Sequence, residues 1–430
     1  MKRSVSKMPQ SARRNRQAFG LLMATNLAFL LIGMGLILFL HHIKALPFED
    51  ELPSSPQAAA RTASVTSQSP AWGILEVTPI MLEQPEEYFS HYVPPPKNIS
   101  WFFPRRNPEQ LLDLFKACDL PEEHLRALAD STRWKVAPQG IWVDPPLDVV
   151  RDLPAASRQK LYEVLAESPE NQSYGYPFHY RKDGFQEWFA QSGLPEKTIR
   201  LIEQMTYIQN GRLRFADIQY LHMTLPPQEV LAVSRTLSRT PSLIINLRIN
   251  PETDLKNLLA YWGTETSLRR IKPLLESVKR LPEGGRINAA WFFPAVPRMH
   301  VYTYPSPTNS AVDKPQDCFW TAMNFFNDEP DDRFLDPRYV ARVLKNEFRT
   351  VPKAGRFGDL ILYFRPLQPD ASDIEMVHMC VYIADDIVFT KNGRDPRQPW
   401  VLMRLSDMLV HYPAATGPAV AIFRRNNWQL

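Results

Sequence analysis

The chain has 430 residues, 44% of them hydrophobic, enough for two or three ordinary domain cores. Its net charge of +4 gives no global electrostatic case for nucleic-acid binding. Three cysteines exclude a disulfide framework, and forty prolines against sixteen glycines imply stiff connections and many helix starts rather than a low-complexity chain.

Residues 1–17 form a basic tail carrying Lys2, Arg3, Lys7, Arg13, Arg14 and Arg16. Ala18 through Leu40 hold no charge, a run long enough to cross a bilayer core of roughly 30 Å as one helix. The basic flank predicts a single-pass anchor with a cytoplasmic N-terminus, the rest of the chain lying outside a bacterial inner membrane. A cleaved signal peptide fits less well, because the apolar run is long and His41-His42-Ile43-Lys44 is a poor cleavage context. Residues 41–100, rich in Pro, Ser and Ala, read as a linker.

From 101 to 284 the signals predict a mainly helical domain. Asn107-Pro108-Glu109, Leu120-Pro121-Glu122, Leu153-Pro154, Gly193-Leu194-Pro195-Glu196 and Leu225-Pro226-Pro227 are helix starts. Ser242 through Ile249 is the one clear strand. His124, His179 and His222 stand alone, without metal-ligand spacing, and read as structural or surface residues. Trp101-Phe102-Phe103-Pro104 recurs as Trp291-Phe292-Phe293-Pro294, a pair better explained by packing than by a repeat.

After Gly284-Gly285 the texture changes, and residues 285–430 read as an α+β domain. Ala289–Phe293 and His300–Tyr304 are strand-like. Asp317 is placed to cap a helix running to Phe326, with Cys318 in its first turn, where unpaired N–H groups favour a thiolate. A second helix is expected over Pro337–Phe348. Gly358-Asp359 enters a buried strand, Val377–Ile383 forms the next, and Trp400–Arg404 and Ala419–Arg424 follow in an antiparallel meander. A thiol and the histidine of a neighbouring strand, His378, are the minimum kit for a cysteine nucleophile.

Taken together, Asp317-Cys318 opening an apolar helix, Gly358-Asp359-Leu360 opening a strand and His378-Met379-Cys380-Val381-Tyr382-Ile383 on the next resemble the NlpC-type, papain-like cysteine peptidases and amidases of bacterial cell walls. The resemblance covers about 30% of the chain, from Tyr302 to Arg424. It implies a papain-like fold, Cys318 as nucleophile, His378 as base, and a polar residue of the following strand, Thr390 or Asn392, to orient the imidazole. If the hairpin loop has an odd number of residues, both candidates share the face of His378; a two-residue Asp385-Asp386 turn would point Phe389 and Lys391 there instead. The resemblance also implies a tyrosine near the thiol, Tyr304 or else Tyr302, and gives Asp317 and Trp320 positions beside the cleft. Phe319-Trp320 replaces the usual Ser-Gly after the cysteine, which would narrow that cleft. Cys380 and Cys118 read as packing residues.

The expected activity is amide hydrolysis, with the peptide stems of peptidoglycan as the implied envelope polymer. The partners are that polymer and, through one helix, the bilayer, with no nucleic acid. Acyl transfer by the same thiol is equally compatible. A catalytically silent papain-like binding or scaffold protein is the rival reading. No phosphate loop, HExxH or calcium loop occurs, so no cofactor or metal is expected.

Overall fold

The computed structural model describes residues 65–89, 98–263, 267–306, 315–366, 374–412 and 419–426. It begins with β1 (Val65–Ser69) and β2 (Gly73–Leu82), an antiparallel pair turned at Gly73. Leu75 and Val77 of β2 are buried by period-two alternation. These strands fall within the stretch expected to be linker, which is thereby corrected: β2 is an integral strand of a sheet.

The next unit starts helices where proline allows it. Asn107 and Gln110 form a complete capping box for the helix Pro108–Ala117. Pro121, Pro154, Pro195 and Pro226 stand at the N-caps of Glu122–Leu128, Ala155–Leu165, Glu196–Gln204 and Pro227–Leu237. Helices make up most of the regular structure of this unit, with short strands among them. Between the helices lie two antiparallel three-stranded sheets. One orders β3 (Trp101–Pro104), β5 (Gly140–Val143) and β4 (Trp134–Ala137), and the other β6 (Phe178–Arg181), β8 (Arg212–Phe215) and β7 (Tyr207–Gln209). Each strand has three or four residues, too few to show an alternation in the sequence. The shared core holds Trp101, Phe103, Phe115, Leu161, Tyr162 and Phe215. Inside it Arg158 pairs with Asp217, and Tyr162 donates its hydroxyl to the same carboxylate at 2.5 Å.

This core closes at Leu237, and β9 (Thr240–Ile249) already belongs to the next. With β10 (Gly285–Asn288) it completes a sheet ordered β1-β2-β9-β10. Trp262, Leu275, Phe292 and Phe293 of this layer pack with Trp320, Phe325, Phe357 and Phe389 in one continuous core. The strands expected at 289–293 and 300–304 do not form. Asn288 instead caps a 3-10 turn over Ala289–Phe292, and Pro294 starts the helix Ala295–His300. Trp291 is 59% exposed there while Trp101 is fully buried, so the two copies of the tetrapeptide do different work.

The C-terminal sheet has six antiparallel strands. They are β11 (Phe348–Val351), β12 (Leu360–Pro366), β13 (Ile374–Ala384), β14 (Ile387–Lys391), β15 (Trp400–Arg404) and β16 (Ala419–Arg425), ordered β11-β16-β12-β13-β14-β15. Helices Cys318–Met323 and Pro337–Glu347 precede it. One face, with Leu360, Leu362, Met379, Val381 and Phe389, packs in a core with Ala322 and Phe325. The other carries Ile361, Tyr363, Cys380, Tyr382, Val388 and Met403, together with Met408 of the helix Leu405–His411. Ser242 of β9 donates to the Leu402 carbonyl at 3.1 Å and accepts from its N–H at 3.3 Å, tying the two sheets together at β15.

The architecture is therefore α+β with antiparallel sheets. The transmembrane helix included in the expected fold is corrected: among the described residues no helix is long and apolar enough to cross a membrane. Residues 18–40, on which that expectation fell, lie outside the described residues.

Candidate functional site

Asp317 takes an extended backbone and caps the Cys318 helix as expected, its carboxylate accepting from the Trp320 N–H at 3.0 Å and from Arg394 Nε at 3.2 Å. The helix stops at Met323, short of Phe326. Asn324 ends it: Oδ1 accepts from the Asp331 N–H at 2.7 Å, and Nδ2 donates to the Trp320 carbonyl at 3.0 Å. Phe325 and Phe326 are thereby freed to pack, and Gly358, at φ +90°, lies so close that a Cβ there would meet the Phe326 ring at 2.0 Å. The Cys318 thiol is only 4% exposed. Burial, then the charge of Asp317, pushes it up to about 12, against the pull of the N–H groups of Met379, Phe319 and Cys318 itself.

His378 lies on β13, paired with Tyr363 of β12. The β13–β14 connection is the two-residue Asp385-Asp386 turn, with Asp385 at φ +56°. Thr390 still reaches the histidine. The register runs Val381 with Phe389 and Tyr382 with Val388, then Ala384 with Ile387, so Ile383 is an extra, bulged residue. The bulge shifts the parity by one, and Thr390 Oγ1 meets His378 Nε2 at 2.9 Å. The other ring nitrogen, Nδ1, is buried and has no hydrogen-bond partner. Tyr412, just past the helix Leu405–His411, stacks on the imidazole with centroids 4.2 Å apart and planes at 23°. The imidazole is fully buried, and burial, then the neighbouring His411, pushes its pKa down to about 3.

The thiol and the imidazole are neighbours that do not touch productively. Cys318 rests against the backbone of Met379, the residue next to His378, yet no hydrogen bond joins it to the ring. The imidazole stands on the Tyr363–Tyr412 side of the sheet; Ala322 and Phe325, further along the thiol's segment, pack on the Met379–Phe389 side, while Cys318 itself lies within electrostatic reach of Tyr412 and Cys380. Burial disfavours the charged form of both groups, and among the described residues no hydrogen bond joins them as a thiolate–imidazolium pair would require.

The other candidates separate. Trp320 is not a cleft residue: it is fully buried, bonded through Nε1 to Asp332 Oδ1 at 2.9 Å. Asn392 donates to Met403 Sδ at 3.6 Å and does not reach His378; its Oδ1 is buried without a partner. Tyr304 donates to the Leu82 carbonyl at 3.3 Å, and Tyr302, at φ +66°, to that of Leu243 at 2.8 Å, so both hydroxyls tie the domain to the β2–β9 layer.

Three participants are given no role at the site by the sequence. Tyr412 follows an unremarked helix. Lys391 is fully buried, donating to the Gly393 and Asp395 carbonyls at 2.9 and 3.0 Å; burial pushes it down to about 8, and the charge of Cys318 is among the groups it senses. Asp359 accepts a bidentate pair from Arg424 at 2.7 Å and the N–H groups of Gly355 and Arg356 at 3.0 Å, fixing the entry of β12. The signal for it was the Gly-Asp pair itself. Among the described residues no group of three His, Cys, Asp or Glu could hold a metal ion.

Comparison of the chain with protein-family models, curated proteins and solved structures gives no match. The resemblance to papain-like amidases therefore rests on the Asp317-Cys318, Gly358-Asp359 and His378 motifs.

Proposed function

We propose that this chain is a cysteine amide hydrolase, with Cys318 as nucleophile, His378 as base and Thr390 as orienter, in a closed resting conformation. The observation that carries the reading is the imidazole. Its Nε2 is held by Thr390, and its Nδ1 is buried without a hydrogen-bond partner among the described residues. A buried polar atom left unsatisfied costs about 1–3 kcal/mol, a cost that marks a strain reservoir or a group kept for chemistry. With Nε2–H donating to Thr390 Oγ1, the lone pair of Nδ1 is free to take the thiol proton.

In the open form the proton passes from Sγ to Nδ1 and the thiolate adds to an amide carbonyl carbon. The oxyanion is received by the backbone N–H groups that already surround the sulfur, those of Met379, Phe319 and Cys318. Collapse expels the amine, which takes the proton from His378, and water cleaves the thioester by the reverse relay. Opening requires Tyr412 to leave the ring and the thiol to reach Nδ1. Water entering with that motion returns both pKa values toward their ordinary range. The peptide stem of peptidoglycan is the substrate class we assign, on the resemblance alone.

A second reading, a catalytically silent binding module, is favoured by one observation: the thiol is sealed and protonated. Labelling with a thiol-directed amide mimic discriminates. Modification of Cys318 well ahead of Cys118 and Cys380, lost in His378→Ala, supports the hydrolase. Equal, slow modification of all three cysteines leaves the silent module. Digestion of purified peptidoglycan, with release of new amino groups, then tests the substrate class.

A further inference from the structure

One face of the β6–β8–β7 sheet carries a charge that the protein does not balance. His179 pairs with Arg214 and Arg181 with Arg212 across β6 and β8, so all four side chains leave the same face. The opposite face, with Tyr180, Leu213 and Phe215, enters the core. Arg181 is neutralised by Asp183 and Glu187, each at 2.6 Å, and by Asp407 of the helix Leu405–His411 at 3.2 Å.

Arg212 and Arg214 have no such counter-charge. Among the described residues no carboxylate forms an ion pair with either. Arg212 is 7% exposed, and its Nη2 is buried without a partner, as is Nε of Arg214. The C-terminal unit adds His411, whose ring lies 5.8 Å from that of His179. Burial, then His179 and Arg212, pushes His411 down to about 3, and burial and Arg214 push Arg212 down to about 10, whereas His179 is exposed at the edge of the cluster. A guanidinium out of water without an anion is costly, and a second one beside it adds repulsion. Arginine forks match planar oxyanions in geometry as well as charge.

We propose that Arg212 and Arg214, flanked by His179 and His411, form a binding site for one oxyanion-bearing group, a carboxylate or a phosphate. His179, Arg181 and His411 also line a cavity of about 50 Å³ beside this face, whose wall includes Glu187 and Asp407, the carboxylates that pair with Arg181, but not Arg212 or Arg214. Tyr412, which stacks on the ring of His378, lies within electrostatic reach of Arg212. On the hydrolase reading the anion belongs to the substrate, and its docking on the helical unit presents an amide to the thiol. The binding itself does not depend on that reading.

The test uses full-length protein, with inorganic phosphate and glutarate as probes and sodium chloride at matched ionic strength as control. Melting temperature and the histidine ring resonances are followed. One probe is expected to raise Tm above the control and to move the resonances of His179 and His411; which probe does so identifies phosphate or carboxylate. Arg212→Met, which removes an unpaired buried charge, is expected to be no less stable without anion and to bind about ten- to a hundred-fold more weakly. Arg214→Gln provides the same comparison should that variant fail to fold. The site is overturned if neither probe exceeds chloride, or if both variants respond like the parent. Cys318 labelling measured in parallel separates the two readings: anion binding without labelling keeps this site and removes the hydrolase, and the converse result does the reverse.

Discussion

Thr390 Oγ1 and His378 Nε2 lie 2.9 Å apart on a face that two-residue turn geometry alone would have denied them. The bulge at Ile383 makes the contact. If Thr390 orients the base, Thr390→Val keeps the shape and removes the hydrogen bond. Labelling of Cys318 is then expected to slow about ten-fold, the equivalent of roughly 1.4 kcal/mol, with recovery in Thr390→Ser. Unchanged kinetics in the valine variant would demote Thr390 to packing.

Acid should loosen the fold. His378 and His411 have folded pKa values of about 3, below the unfolded value near 6.5. Between these limits the unfolded chain binds more protons, so stability falls as pH drops through that window. Cys318 works at the other end: raised to about 12, it withdraws stability as pH climbs above 9. Calorimetric Tm should therefore form a plateau near neutrality with a steep acid limb, and His378→Asn should flatten that limb. An acid limb identical in the variant would show that His378 titrates normally.

Trp320 distinguishes packing from recognition. Read as a cleft residue, Trp320→Ala would widen substrate choice; buried against the core, it should cost about 3–5 kcal/mol of stability. Asp359→Asn, which leaves Arg424 short of its charge partner, should cost about 3–5 kcal/mol by the same measurement. Urea unfolding checks both.

The sequence was legible where local chemistry decides structure. Proline and capping residues marked helix starts such as Asn107-Pro108, and Val377–Ile383 announced a strand by its β-branched and aromatic content. Cys318 and His378 stand out by residue type and order, but Thr390 is only one of two candidates with Asn392, on an odd-loop condition that the two-residue turn does not meet; the bulge at Ile383 is what separates the two. What escaped was set by distant partners. Gly73–Leu82 looked like linker because its pairing partner, β9, lies far along the chain. The strands carrying Arg212 and His179 were hidden by their brevity, and their charge pattern acquires meaning only when β6 meets β8. Whether thiol and imidazole bond depends on how the Cys318 helix and Tyr412 pack around β13, which no local pattern encodes.

Tyr412 offers the sharpest test of a closed resting state. Its ring covers His378, with centroids 4.2 Å apart. Tyr412→Ala removes the cover without touching the thiol, the base or the orienter. Hydration of the imidazole should raise the pKa of His378 from about 3 toward 6.5, measurable by histidine NMR. A better-solvated base and thiol should then speed Cys318 labelling at neutral pH. The NMR shift without faster labelling would show that the cover is real but guards no working nucleophile. Faster labelling that survives His378→Ala would show that the thiol reacts through exposure alone. Only acceleration that also requires His378 matches a catalytic pair waiting to be assembled.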